Sequence, residues 1–501
     1  MEILALGHSS YLLQMDTGEG PPLRILADPW LTDYCVGDLL GRFPRLRMDP
    51  KDLLPLDAVY ISHAHTDHLD PESLLWLWRG WPTPPTLLLP ESLRYLEDVF
   101  RSYLDDVTLV FLQDRQPIEM RGAQIYGFFN PEVVPTNEDD VMVFVVSSER
   151  EVFLAEADAL LPFYEPATRT MLADLFSGPT IETACFLTTK NEDSATMSML
   201  SASDLNDRRE RVDRCLESTY EEIHEIYAPL DDSEVDLWKN QRLVRLIGGQ
   251  GICFPQALGT EWNRVLFPIR LVDRVGMEQE TADQYECQHS IGEFVPGEVH
   301  RLGDGRLQGR DRAPYLELLD CESEREFDST CALFGDFPSA PLVDEARDVD
   351  VQKVVILRAL NERFLPHLIG ARRPPIEHLL AVAGEYRIRV RYGGSSAFTE
   401  RDYRVTFEEL RFAEVTVCQE LPHEAYWAND VDDFLAGRCD EFSTFCRLPL
   451  EAVAQRFWRT LGLPYLNNDI TTKKLMLHFD RAARGEPLER WILRLHGHSK
   501  G

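Results

Sequence analysis

The chain of 501 residues lacks three features that mark large classes of proteins. It has no run of about 18 uninterrupted apolar residues, so no membrane-spanning helix is predicted. Its ten cysteines include no Cys-x-x-Cys pair, which argues against a disulfide framework and is typical of reduced thiols in a cytoplasm. It begins without a basic segment and apolar core, so no signal peptide is expected and we predict a cytoplasmic location.

Positive charge is also scarce. The chain has 51 Lys and Arg residues against 85 Asp and Glu residues, a formal net charge of −34. Binding of nucleic acid or of an anionic membrane needs a basic face that neutralises phosphate, so neither partner is expected. An acidic surface would suit a basic protein partner such as an electron donor. The hydrophobic fraction of 44% is sufficient for globular cores, and the length predicts two or three domains.

The segment 63–68 concentrates three histidines and an aspartate in the order His-Ala-His-Thr-Asp-His. It follows the apolar run 56–62, which is predicted to be a buried strand. Imidazole and carboxylate are preferred ligands of zinc and iron, and a bound metal is the usual reason for such crowding. Residues two apart point the same way in an extended chain. We therefore expect His63 and His65 to bind one metal ion, and Asp67 and His68 to bind a second.

This motif resembles the signature of the metallo-β-lactamase fold. The upstream segments 6–13 and 25–30 resemble the opening hairpin of one branch of that superfamily. The branch includes ascorbate-phosphate lactonase-like hydrolases, N-acyl-phosphatidylethanolamine phospholipases and CMP-N-acetylneuraminate hydroxylases. The resemblance implies an α/β fold, an αββα sandwich followed here by a smaller α+β domain. It also implies that Asp28 orients a ligand histidine, whereas His8 is interpreted as a hydrogen-bonded structural residue.

The chain is predicted to divide into three segments. Residues 1–272 form the metal domain, 273–350 a loop-rich connecting excursion and 351–501 the α+β C-terminal domain. Periodicity predicts a helix over 91–104 and another that begins at 351. The predicted strands are 23–28, 56–62, 86–89, 107–112, 123–128, 141–147, 151–155, 243–247 and 386–392.

The same resemblance implies further ligands beyond the first cluster. Asp158 ends a predicted strand and takes the place of the metal-bridging aspartate. No histidine occurs between residues 69 and 223, so a carboxylate must replace the family's intervening histidine. Glu132 has the expected separation from Asp158 and Glu138 is the reserve, the alternative being that both are exposed loop acids. The replacement for the last family histidine stays open among Glu192, Asp193, His224, Gln250, Cys253 and Gln256.

Carboxylate in place of imidazole makes the site rich in oxygen ligands, which suits iron or manganese better than zinc. In this respect the chain resembles the diiron monooxygenases of natural-product pathways, which hydroxylate carrier- or CoA-bound substrates. The preferred prediction is a non-haem diiron monooxygenase of a small biosynthetic molecule, with O2 as co-substrate and Asp67 and Glu132 as catalytic residues. The predicted ligands of the two iron ions are His63, His65, Asp67, His68, Glu132 and Asp158.

Two other functions remain open. One is a dinuclear zinc or manganese hydrolase, in which bridging water attacks a lactone or a phosphodiester. The other is a metal-binding protein without enzymatic activity. The CMP-N-acetylneuraminate hydroxylases also carry a Rieske cluster, which needs Cys-x-His and Cys-x-x-His pairs. Only Cys287-Gln288-His289 is present, so we interpret it as structural and expect electrons from a separate reductase or ferredoxin.

Overall fold

Two β-sheets that pack face to face organise the described residues up to 319. The computed structural model describes residues 1–18, 20–33, 41–42, 45–65, 67–79, 81–129, 141–158, 166–189, 223–224, 242–248, 252–253, 271–287, 289–319, 345–365, 384–394, 396–406, 408–422, 424–436 and 468–485. Within these residues no helix is long and apolar enough to cross a lipid bilayer.

The first sheet has eight strands in the described part of the chain, and the four strands from its middle to one edge run parallel. Across its width they are β18 (Arg306–Arg312), β17 (Glu298–Gly303), β1 (Glu2–Gly7), β2 (Ser10–Met15), β3 (Leu23–Ala27), β6 (Ala58–Tyr60), β7 (Thr86–Pro90) and β8 (Thr108–Leu112). The second sheet has seven described strands: β16 (Ser290–Glu293), β14 (Leu243–Ile247), β13 (Thr183–Thr188), β12 (Glu151–Ala155), β11 (Met142–Ser147), β10 (Ala123–Phe129) and β9 (Ile118–Met120).

Helices and short strand pairs complete the described structure. The helices are α1 (Pro71–Arg79), α2 (Glu97–Tyr103), α3 (Pro166–Phe176), α4 (Leu271–Gln284), α5 (Val349–Ala359), α6 (Ala428–Leu435) and α7 (Asn468–Ala483), with 3-10 turns at Pro50–Leu53 and Glu91–Leu96 and a π turn at Leu360–Phe364. The small pairs are β4 (Gly41–Arg42) with β15 (Ile252–Cys253), and β5 (Leu46–Arg47) with β19 (Glu317–Leu318). A separate sheet contains β22 (Ala413–Val415), β21 (Ala397–Thr406), β20 (Glu385–Gly394) and β23 (Glu424–Trp427).

The inner strands of the sandwich are apolar on both faces. On β1, Ile3 and Ala5 pack between the two sheets, whereas Leu4 and Leu6 pack towards α1 and α2. Successive side chains of a strand point to opposite faces, so a strand covered on both sides reads as a continuous apolar run. The outer face of the second sheet is covered by α3 and α4. The layers therefore run helix, sheet, sheet, helix, which confirms the predicted αββα sandwich.

The prediction of a loop-rich excursion over 273–350 was wrong for its first half. Helix α4 covers the second sheet, β16 extends that sheet, and β17 and β18 extend the first sheet. These strands lie at or near the sheet edges, and β18 keeps most of its side chains exposed. A solvated edge strand carries too few apolar residues for its period to be recognised, so it resembles a polar loop.

The C-terminal segment contributes to two cores. The sheet of β20 to β23 packs with α5 and α6 around its own apolar cluster. Helix α7 instead returns to the metal domain, where Leu475 and Phe479 are fully buried with residues of α1 and α2. Arg481 of the same helix donates to Glu72 at 2.6 Å. The last described helix is therefore part of the outer layer of the sandwich.

We expect Phe479→Ala to lower the free energy of local unfolding of α7 from the metal domain by roughly 3–5 kcal/mol. The ring is fully buried and stacks on Tyr103 with centroids 4.9 Å apart, so truncation leaves a cavity. Hydrogen exchange of peptides from α1, α2 and α7 would measure the change. Met476→Ala is the control because that side chain is 44% exposed on the same helix. Equal protection in both variants would contradict the packing role.

Candidate metal centre

The loop after β6 forms one wall of the site. It turns tightly, because the backbone amides of His68 and Leu69 both donate to the carbonyl of His65, at 3.1 and 2.6 Å. Helix α1 begins at once, with Asp70 accepting from the Ser73 amide at 3.2 Å as its N-terminal cap. The loop is thus held between a buried strand and a capped helix, both rigid elements.

The second sheet supplies the opposite wall through Asp158. This residue follows β12 and the left-handed Ala157, whose φ is 43°. Its two carboxylate oxygens lie 3.6 Å from His63 Nε2 and 3.5 Å from His68 Nε2. His68 Nε2 is also 3.7 Å from Asp67 Oδ2. The site therefore joins the rims of both sheets, and the predicted bridging aspartate faces the predicted histidines.

These separations suit ligands around an ion. Ligand atoms bound at about 2.1 Å lie about 3.0–3.4 Å apart at octahedral or tetrahedral angles. Asp67 Oδ1 and His68 Nε2 are buried and have no hydrogen-bond partner of good geometry in the described structure. Two overlapping groups of three potential donors result, His63 with His68 and Asp158, and His8 with Asp67 and His68. The residues present therefore fit a metal centre, in which His68 belongs to both groups.

His65 lies beside these groups. Its ring centroid is 4.5 Å from that of His63, and its side chain is half-buried. Among the described residues it belongs to neither group of three donors. Its assignment as a ligand stays a prediction.

Asp28 and Ser62 orient the histidines from behind. Asp28 accepts from the Ser62 amide at 2.7 Å and from the Ser62 hydroxyl at 2.6 Å, and its Oδ2 lies 2.8 Å from His68 Nδ1. Ser62 Oγ lies 2.9 Å from His63 Nδ1. This network places both Nδ1 protons on the outer side and leaves both Nε2 lone pairs facing Asp158. The position of Asp28 is as expected, whereas Ser62 was not recognised because serine before a histidine carries no distinctive pattern.

We expect Asp28→Asn to weaken metal binding by roughly 10–100-fold. The amide cannot accept from both Ser62 and His68 as the carboxylate does, so the imidazole loses its fixed orientation. Competition for Co2+ against a chelator would measure the affinity. Asp57→Asn is the control, because Asp57 also accepts from a backbone amide, that of Arg24 at 2.9 Å, but precedes the other end of β6. Equal affinities in the two variants would remove Asp28 from this role.

The electrostatics of the site favour a cation. Burial would raise the pKa of Asp67, but the imidazoles of His68 and His8 outweigh it and hold that pKa below its ordinary value. Burial lowers the pKa of His8, and it lowers that of His65 further. Burial also opposes charge on His68, yet the surrounding carboxylates raise its pKa well above the ordinary value. An ionised Asp67 beside neutral His8 and His65 matches the ligand forms that a divalent metal needs, whereas His68 must lose its proton when a metal binds.

Two strand ends are anchored beside the loop by Arg42. This buried guanidinium donates to the carbonyls of Leu6 and Trp30, and burial lowers its pKa to about 9. Leu6 precedes the turn that carries His8, and Trp30 lies two residues after Asp28. His8, interpreted from the sequence as a hydrogen-bonded structural residue, lies against Asp67, at 3.0 Å between Nε2 and Oδ2.

Of the remaining predicted ligands, two lie within the described residues and the others lie outside them. His224 packs beside Tyr285 at the outer face of the second sheet, with Nδ1 3.3 Å from the phenol oxygen. Cys253 lies on β15, which pairs with Gly41 of β4. Outside the described residues lie Glu132, Glu138, Glu192, Asp193, Gln250 and Gln256.

Comparisons with known proteins give low similarities. No protein-family model matches the chain. A Mycolicibacterium smegmatis protein whose name assigns it to the Rieske 2Fe-2S iron–sulfur proteins is 31% identical over 74 residues, 15% of this chain and 13% of that protein. The diiron β-hydroxylase CmlA from Streptomyces venezuelae matches with a TM-score of 0.27 and 19% identity, covering 42% of this chain and 39% of CmlA.

Two further solved structures are similar at the same level. The metallo-β-lactamase fold protein YhfI from Bacillus subtilis gives a TM-score of 0.25 at 14% identity, covering 38% of this chain and 70% of YhfI. Yeast PDE1 gives a TM-score of 0.34 at 11% identity, covering 60% of this chain and 98% of PDE1. At these values the likenesses assign no reaction or substrate. The layer order, sheet topology and rim position of the 63–68 loop have the arrangement of the metallo-β-lactamase fold expected from the sequence.

Proposed function

We propose that this chain is a non-haem diiron monooxygenase that hydroxylates a small biosynthetic molecule, free or bound to a carrier protein or CoA. The observation that carries the proposal is the cluster of imidazole and carboxylate groups where the two sheets meet. His63, His68 and Asp158 face one another there, with Asp67 alongside. With no histidine between 69 and 223 to add a further imidazole, the centre is rich in oxygen donors, which favours iron over zinc.

The first iron would be held by His63, His65 and Asp158, and the second by Asp67 and His68 with Asp158 as the bridge. Glu132 would complete the first position. Two irons bound here would supply the activation of O2. The protein's own contribution is orientation, because Asp28 and Ser62 hold the Nε2 atoms towards the centre.

The reaction needs a source of electrons. One oxygen atom of O2 enters a C–H bond of the substrate, and the other leaves as water with two protons and two electrons. We propose that a separate reductase or ferredoxin supplies those electrons. The net charge of −34 suits a donor with a basic docking face.

The test is the metal content and oxygen reactivity of protein from iron-supplemented cells. We expect two irons per chain, with Mössbauer spectra of a coupled pair that change with dithionite and again with oxygen. Glu132→Ala should lose iron at the first position, and unchanged iron content and activity would remove Glu132 from the centre. Zinc or manganese at both positions without oxygen reactivity would overturn the proposal and favour hydrolysis of a lactone or phosphodiester.

A further inference from the structure

His8 sits in a tight turn at the rim of the first sheet. The turn joins β1 to β2, with a register shift between Ala5 and Gly7. Both Gly7 and His8 have left-handed backbone conformations, with φ of 95° and 50°. A positive φ is uncommon outside glycine and marks positions that the surrounding structure holds in place. The turn thus directs a histidine to this point of the rim at a conformational cost.

The imidazole of His8 points at the metal loop. Its Nε2 lies 3.0 Å from Asp67 Oδ2, and its ring centroid lies 5.1 Å from that of His68. One donor atom from each of the three side chains falls within 4.8 Å of the others. Trp30 packs edge-on against the same ring at 5.2 Å, which restricts its rotation. The three donors therefore face a common point.

A structural histidine would be held by hydrogen bonds of its own. The His8 side chain is fully buried, yet within the described residues Nδ1 has no hydrogen-bond partner and the one polar contact of Nε2 is Asp67. Asp67 Oδ1 is likewise buried without a partner. Leaving several such atoms buried and unsatisfied destabilises the folded chain. An ion bound by Nε2 of His8, by Asp67 and by Nε2 of His68 would take up the lone pairs of these three side chains together.

We propose that His8 is a metal ligand that completes the second position with Asp67 and His68. This rests on the dinuclear centre of the proposed function, and it assigns the place of the last histidine of related sites to the first turn of the chain. The second position then has two imidazoles, the bridging Asp158 and Asp67, against one imidazole without His8.

Cobalt binding tests the assignment without iron, oxygen or turnover. Wild-type protein should bind two Co2+ per chain, and His8→Gln should bind the second ion at least about 10-fold more weakly. Glutamine keeps the size and polarity of the side chain, which protects the fold. With both positions filled, the variant should lack one of the strongly shifted imidazole N–H signals in the proton NMR spectrum. His300→Gln is the matched control, because His300 is buried on β17, which pairs with β1 but lies outside the donor groups.

The outcomes separate the two proposals. If wild-type protein and the His8 variant bind two Co2+ with equal affinity and the same shifted N–H signals, the His8 assignment is overturned and the dinuclear centre stands. A weaker second ion with every shifted signal retained makes His8 a positioning residue for Asp67, which also overturns the assignment. Fewer than two Co2+ in wild-type protein overturns the dinuclear centre and the assignment with it.

Discussion

His68→Ala is expected to remove metal from the second position of the centre and to abolish activity. His68 is the one histidine shared by the two groups of donors, with Nε2 3.5 Å from Asp158 and 3.7 Å from Asp67. Losing a ligand should lower metal affinity by more than the roughly 10–100-fold that loss of an orienting partner costs. Metal analysis after gel filtration should find no more than about one ion per chain.

A neighbouring change separates loss of a ligand from loss of structure. His65→Ala removes a half-buried ring outside both donor groups, so it should empty at most one position. Circular dichroism and thermal melting of both metal-free variants would show whether the fold is kept. If the His68 variant retained two ions, His68 would not be a ligand of the centre, and the assignment of the donor groups that share it would be wrong.

The sandwich was predictable because its inner strands are buried on both faces. Segments such as 123–128 and 151–155 are apolar runs of strand length, and the structure places β10 and β12 there. The strands β16 to β18 were missed because edge strands expose polar side chains. Packing of α7 on α1 was also not predictable, since an amphipathic helix does not specify which apolar surface covers it.

The centre was predictable where its residues are close in sequence. His63, Asp67 and His68 lie within one loop, and Asp158 ends a strand that the apolar pattern identifies. The contact of His8 with Asp67 was not predicted, because nothing local to a strand-end histidine indicates that Asp67 lies opposite it. The signal that could have found it was the shared hairpin with Asp28, since β1 and β3 flank β2 and end at the same region of the rim.

Glu278→Ala is expected to destabilise the outer layer of the second sheet by roughly 3–5 kcal/mol. Glu278 on α4 accepts from Arg245 on β14, and both side chains are fully buried. The guanidinium also lies over the ring of Phe186 at 3.8 Å. Removing the carboxylate leaves a buried positive charge without its ion-pair partner, and solvation cannot replace it there.

The double variant Arg245→Leu/Glu278→Leu distinguishes the destabilisation caused by an unpaired buried charge from the net stabilisation that the ion pair contributes. Replacing both members by apolar groups should be near neutral, because the desolvation of two ions offsets most of their attraction. Hydrogen exchange of peptides from α4 and β14 would measure both effects, with exposed Glu280→Ala as the control on the same helix. If the double variant were as unstable as Glu278→Ala, packing rather than charge would dominate at this contact. If it restores stability, the ion pair adds little net free energy to the fold.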